Sequence, residues 1–175
     1  IKELEGSEII IWTTTPWSIP ANKALAYNQN LDYIVIQLDS DGDFKGKKIV
    51  IAEALLKSVV KDCEIKNFKE IKKFKGKEFK DTICSHPFLE LGYKYEIPML
   101  EARFVTTEQG TGIVHCAPSH GPDDFNLCFH LWICPNNIVV ESNLQCKAWR
   151  KDRQGPLGGM VVGMVYNQPT SYTVL

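Results

Sequence analysis

Trp12-Thr13-Thr14-Thr15-Pro16-Trp17-Ser18-Ile19-Pro20-Ala21-Asn22 follows the β-branched run Ile9-Ile10-Ile11. A short β-branched run favours a buried strand over a helix, and Pro16 forces Thr15 into an extended conformation. Three adjacent hydroxyls, on Thr13, Thr14 and Thr15, therefore close a strand at a proline-stiffened corner. There they and their free backbone groups can orient a water or a sugar hydroxyl. Taken alone, the run equally suits an ordinary strand, because threonine is β-branched.

Working outward, residues 8–12 read as a strand and 23–27 as a second extended piece beyond the Pro20 turn. Residues 33–38 and 48–52 flank the turn cluster Asp39-Ser40-Asp41-Gly42-Asp43 and read as a hairpin. Over 53–61, Ala54, Leu55, Val59 and Val60 recur at helical spacing and predict a helix outside the sheet. Over 64–79, Ile65, Phe68, Ile71 and Phe74 recur every third residue, a period between strand and helix. His86-Pro87-Phe88 reads as a loop, and 95–100 and 102–107 as strands around Pro98. Gln109-Gly110 is turn chemistry, 111–115 a strand, and 117–122 a loop rich in Pro and Gly. Asp123 then stands where it can cap a helix containing residues 125–130, with Asp124 in the first turn, stabilised by the macrodipole and free to meet a cation.

Gly110-Thr111-Gly112-Ile113-Val114-His115-Cys116-Ala117-Pro118-Ser119-His120-Gly121-Pro122-Asp123-Asp124 is the second distinctive stretch. Together the two resemble the motifs of the editing domain inserted in class I aminoacyl-tRNA synthetases, also called the connective peptide or CP1 domain. The first looks like the isoleucine enzyme's version, since the valine and leucine relatives carry an arginine after two threonines, where this chain has Thr15. Two long matches in the same order are far more specific than a short pattern. The resemblance runs from about Gly6 to Cys128 and fades beyond. Residues 131–175 depart from it: tryptophan appears at 132 and 149, lysine almost vanishes, and Gly155-Pro156-Leu157-Gly158-Gly159-Met160 reads as a loop before a strand over 160–166.

Composition agrees with one folded unit. The 175 residues are 44% hydrophobic and 23% charged, a globular balance. No apolar run approaches the ~18 residues of a membrane span, and the chain opens on Ile1 without a signal-like segment, so residues 1–175 are expected to form a single soluble editing domain excised from a longer, intracellular synthetase of the cytoplasm or an organelle matrix. Cysteines at 63, 84, 116, 128, 134 and 146 include no C-x-x-C pair, so reduced thiols and no metal are expected. The net charge of −1 is segregated: residues 45–80 hold 12 lysines against 5 acidic residues, net +7. That segment suits either a solvated face or attraction to the phosphates of a nucleic acid.

The resemblance implies a mixed α/β fold with a β-barrel core and peripheral helices. It implies a substrate, tRNA(Ile) charged with the wrong amino acid, and a reaction, post-transfer hydrolysis of the valyl ester at the terminal ribose. The rest of the synthetase is the other partner. Neither an H-I-G-H-like nor a K-M-S-K-S-like segment is present, so no ATP site and no cofactor for editing are expected. Asp124 is the expected ammonium anchor through charge-assisted hydrogen bonds. Thr13, Thr14 and Thr15 are expected to place the water, the carbonyl and the ribose, with Thr14 and Thr15 counted, like Asp124, as catalytic. Asn22 suits either a strand-end role or contact with the adenosine. His115 suits a pocket wall, a general base or a structural histidine, while His86 and His120 suit structural roles. A Cys116–His115 nucleophile pair is disfavoured, because adjacent strand residues point to opposite faces. Editing for a valyl or leucyl enzyme, or tRNA binding without catalysis, are the alternatives.

Overall fold

The computed structural model describes residues 2–39, 44–130 and 160–165. The isoleucine run forms β1 (Ser7–Thr13), in which every residue but Trp12 is buried. Burial on both faces explains why it reads as a continuous apolar run and not as an alternation. Its neighbours are β4 (Lys48–Ala52), parallel, and β9 (Met160–Val165), antiparallel from Glu8 opposite Val165 to Thr13 opposite Met160. With β3 (Asp32–Leu38) and β5 (Phe68–Lys75) they make a five-stranded sheet in the order β5-β3-β4-β1-β9. A second sheet is ordered β6 (Ile83–Ser85), β7 (Glu96–Glu101), β2 (Ala24–Tyr27), β8 (Val114–Cys116). Ile9, Ile10, Ile11, Ile34, Ile36, Ile49 and Ile51 of the first sheet share one core cluster with Leu25, Ile97 and Met99 of the second. Burying each such side chain stabilises by about 1.5–3 kcal/mol.

The expected hairpin is β3–β4, antiparallel from Tyr33 opposite Ala52 to Gln37 opposite Lys48. The expected helix starts as a 3₁₀ turn (Glu53–Leu55) and continues as α1 (Leu56–Asp62). The ambiguous segment is a strand: in β5 the register slips opposite Val35 and Ile36, leaving Ile71 as an extra residue between Lys72 and Glu70. Such a bulge breaks strict alternation and leaves apolar residues every third position. Three expectations are corrected. Residues 102–107 form no strand; β7 stops at Glu101, and the chain bends at 103–104. The strand expected over 111–115 is only Val114–Cys116. Helix α2 begins at Pro122, so Asp123 lies inside its first turn and not ahead of it as a cap; proline at a helix start loses no intrahelical hydrogen bond. The fold is mixed α/β, as expected, but among the described residues the strands form two sheets and no closed barrel. Of the tail, 160–165 is the strand anticipated there; residues 131–159, including the Gly-Pro loop expected at 155–159, lie outside the described residues.

Two contacts fix the second motif against the first sheet. Tyr33 is fully buried, packs edge-on to Phe79 and donates its hydroxyl to the carbonyl of Gly112 at 2.8 Å. Gly112 has φ +76°, and a Cβ there would collide with that of Ala52, so only glycine fits. Among the described residues, four of the twelve lysines of the segment form ion pairs: Lys47 meets Glu8, Lys72 meets Glu3, Lys73 meets Glu53, and Lys75 meets Asp32. Three of these acids, Glu8, Glu3 and Asp32, come from outside the segment and offset part of its positive charge.

Candidate functional site

The threonine corner is built as follows. β1 ends at Thr13, and a 3₁₀ turn (Pro16–Ala21) carries the chain to β2. Thr13 is buried and its Oγ1 accepts the Thr15 amide at 3.1 Å, while Thr14 and Thr15 are exposed. The Thr13 and Thr15 hydroxyls are 3.2 Å apart, Thr15 and Ser18 hydroxyls 3.3 Å, and Ser18 Oγ donates to the Thr15 carbonyl at 2.7 Å. Ser18 Oγ also lies 3.1 Å from His115 Nε2, across 97 residues of sequence.

Proton counting gives this chain a direction. The one hydroxyl proton of Ser18 goes to the Thr15 carbonyl, so Ser18 Oγ accepts from its other neighbours. His115 therefore donates through Nε2–H, Thr15 donates to Ser18, and Thr13 donates to Thr15. This leaves His115 Nδ1 as a lone-pair acceptor, buried and without a hydrogen-bond partner. Burial, with His120 nearby, lowers the His115 pKa to about 4, so the ring is neutral near pH 7. A neutral ring that already donates one proton is a poor base at Nε2. Ser18 went unnoticed in the sequence; its signal is a hydroxyl three residues after Thr15, the spacing of a side-chain-closed turn.

Asn22 has no exposed surface, and its Oδ1 accepts the Cys116 amide at 3.2 Å, while the Lys23 amide donates to the Cys116 carbonyl at 2.9 Å. Of its two readings the geometry shows the strand-end one: Asn22 joins the end of the first motif to the middle of the second. Cys116 is buried, and burial pushes its thiol far above the ordinary range, so no thiolate is available there. One residue on, the Ala117 amide donates to Asp124 Oδ2 at 3.0 Å. Asp124 is half-buried, which raises its carboxyl, while the Ala117 hydrogen bond opposes the shift. Its Oδ1 has no hydrogen-bond partner among the described residues. Asp123 is exposed. The structure thus brings Thr13, Thr15, Ser18 and His115 into one hydrogen-bonded chain and ties Asn22 and Asp124 to Cys116 and Ala117, the residues next to His115. Thr14 stands exposed at the same corner. A separate cleft of about 620 Å³, lined by Asn30, Asp32, Glu53, Lys57 and Glu70 among others, contains none of these residues.

The conjunction of motif and geometry can be set beside known proteins. No protein-family model matches the chain. It is 83% identical over 128 residues, 73% of its length, to an isoleucine-tRNA ligase of Pelagibacter ubique, and 41% identical over 152 residues to that of Zymomonas mobilis. The chain belongs to the isoleucine-tRNA ligase family. It spans 14% of the first of these ligases and 16% of the second, so it corresponds to one segment of such an enzyme. In fold it is similar to the crystal structure of GlLeuRS-CP1, with a TM-score of 0.53 and 19% identity, covering 74% of this chain and 46% of that one. It is also similar to a Plasmodium falciparum cytosolic leucyl-tRNA synthetase editing domain, with a TM-score of 0.50 and 18% identity, covering 78% of this chain and 46% of that one. The segment of the isoleucine-tRNA ligase family seen here therefore has the fold of the CP1 editing domain. Among its described residues no helix is long and apolar enough to cross a membrane.

Proposed function

We propose that this domain hydrolyses the aminoacyl ester of tRNA(Ile) mischarged with valine, as the post-transfer editing site of an isoleucine-tRNA ligase. The observation that carries the reading is the hydroxyl chain Thr13–Thr15–Ser18, which ends on a neutral, buried His115 in the strand that leads to Asp124. An α-aminoacyl ester is already reactive, so holding its ammonium and placing a water suffice for useful acceleration. Asp124 Oδ1 takes the ammonium, while Oδ2 stays fixed by the Ala117 amide. Thr14 and Thr15, exposed at the corner, place the water, the carbonyl and the ribose. Side chains and water alone perform this reaction; no metal or cofactor takes part.

A second site of this kind is needed because one methylene separates isoleucine from valine. That difference is worth ~1–3 kcal/mol in an apolar pocket, a figure for which isoleucyl-tRNA synthetases are themselves the standard example and which was not obtained from this structure. His115 is the pocket wall that refuses the larger side chain. Its lowered pKa, which makes the ring a weak proton acceptor, and its engaged Nε2–H favour this role over general base. The test is deacylation of valyl-tRNA(Ile) by the intact ligase and its Asp124→Ala variant. Loss of at least about 10²-fold, with the fold intact, is expected when an oriented ionic hydrogen bond is removed. Near-normal turnover by the variant would show that Asp124 is not the anchor.

A further inference from the structure

The turn that carries Ser18 is held at Ile19 and Pro20 as well as at Ser18. The geometry points to His86, assisted by Tyr95, as a positioning residue that sets Ser18 against His115 and so tunes the selectivity of the pocket. The inference rests on the editing reading of that pocket.

His86 has no exposed surface, and both ring nitrogens are engaged. Its Nδ1 accepts the Phe88 amide at 3.0 Å, so the proton must sit on Nε2, which donates to the Ile19 carbonyl at 3.0 Å. The Tyr95 hydroxyl donates to the next carbonyl, that of Pro20, at 3.1 Å. Two consecutive carbonyls of the Pro16–Ala21 turn are thus fixed by residues of the 86–95 segment between β6 and β7. The turn has few other fastenings. Pro16 and Pro20 have no amide to give, and the Ile19 carbonyl otherwise accepts only the Asn22 amide at 3.0 Å among its backbone bonds. Ile19 is the residue directly after Ser18, so a displacement of its peptide moves the Ser18 hydroxyl.

The ring is itself clamped. It stacks on Tyr93 with centroids 4.6 Å apart and planes 17° from parallel, and lies 5.2 Å from the Tyr95 ring, which in turn covers Lys23 Nζ at 3.6 Å. Burial lowers the His86 pKa to about 4; the Ile19 bond opposes that shift, and Lys23 and His115 reinforce it. The donor is therefore present at neutral pH. A size filter that separates substrates by one methylene responds to small shifts of its wall, and a misplacement of ~1 Å in a site can cost ~10²-fold in rate.

The experiment separates the two ring nitrogens in the intact ligase. His86→Asn keeps an acceptor near Nδ1 and deletes the donor to Ile19, whereas His86→Gln places an amide near Nε2. Tyr95→Phe removes only the Pro20 bond. Deacylation of valyl-tRNA(Ile) and isoleucyl-tRNA(Ile) is measured for each, with Tm, beside Asp124→Ala. The valyl-over-isoleucyl ratio is expected to fall on the order of tenfold in His86→Asn and to recover in His86→Gln, with a smaller fall in Tyr95→Phe. Equal losses of both activities that follow Tm, with the ratio unchanged, would overturn the proposal. A crystal structure of His86→Asn gives a reading that needs no substrate: the Ser18–His115 contact should open. If it stays at 3.1 Å, the proposal is wrong whatever the activities. If it opens but the wild type does not hydrolyse valyl-tRNA(Ile), the positioning stands and the editing reading fails.

Discussion

His86 and His115 hold adjacent residues of one turn, Ile19 and Ser18, and look alike by most measures. Both are buried, both have a pKa lowered to about 4 by burial, and each is assigned the Nε2–H tautomer by its neighbours. They differ in the other nitrogen. Nδ1 of His86 is satisfied by the Phe88 amide, whereas Nδ1 of His115 has no hydrogen-bond partner. A buried polar atom left unpaired costs on the order of 1–3 kcal/mol, so the two rings are not held at equal cost. Burial and pKa alone do not separate a site histidine from a supporting one; the inventory of partners does.

The contrast is broken most severely at the hydroxyls. Replacing Thr14 and Thr15 together by Val keeps β-branched shape but removes both hydroxyls, so valyl-tRNA deacylation should fall on the order of 10²-fold, with Tm shifted far less. Equal losses in activity and stability would make the threonines scaffold. Next, His115→Ala should open the wall: hydrolysis of isoleucyl-tRNA appears, by about tenfold or more, while valyl-tRNA hydrolysis survives in part. If His115 were a general base, both activities would drop together and the rate profile would lose an inflection near pH 4, where the ring titrates.

A third test concerns stability. Each ring has a folded pKa of about 4 against an ordinary 6.5, so the unfolded chain binds more protons between those values. Their contribution is fully present above about pH 6.5 and is lost as pH falls toward 4, by up to about 3 kcal/mol for each ring. The raised carboxyl of Asp124 works in the opposite sense, since protonating it favours the folded state. Urea unfolding at pH 7 and pH 4.5 should show a smaller acid loss in His86→Gln than in wild type; an unchanged loss would mean the ring is charged when folded. The smallest effect belongs to the ion pairs of the lysine-rich face. Lys73→Ala should change stability by no more than about 0.5 kcal/mol, because its partners Glu53 and Glu70 are solvated.

How legible these features were depends on whether their cause is local. The Ile9-Ile10-Ile11 run and the turn-rich sequence 39–43 between two β-rich runs declare themselves within a few residues, and β1 and the β3–β4 hairpin follow. Residues 64–79 could not be resolved in that way, because the irregular spacing comes from a bulge created by pairing with β3. The strand expected over 102–107 failed for a similar reason: β-favourable residues found no neighbouring strand beyond Glu101. Thr13, Thr14, Thr15, Asn22, His115 and Asp124 stand out as site residues through motif resemblance, and of the two readings of Asn22 its bond to Cys116 matches the strand-end one. Ser18, His86 and Tyr95 were not, since each acquires its role from a partner that the sequence does not reveal: His115 for Ser18, and the carbonyls of Ile19 and Pro20 for the other two.

The most direct measurement is a crystal structure with a valyl-adenosine analogue whose ester is replaced by an amide. Its ammonium is expected on Asp124 Oδ1, its carbonyl at Thr14, and its isopropyl group against His115. An ammonium held by any other group, or the analogue seated in the cleft lined by Asn30, Glu53 and Glu70, would contradict this arrangement.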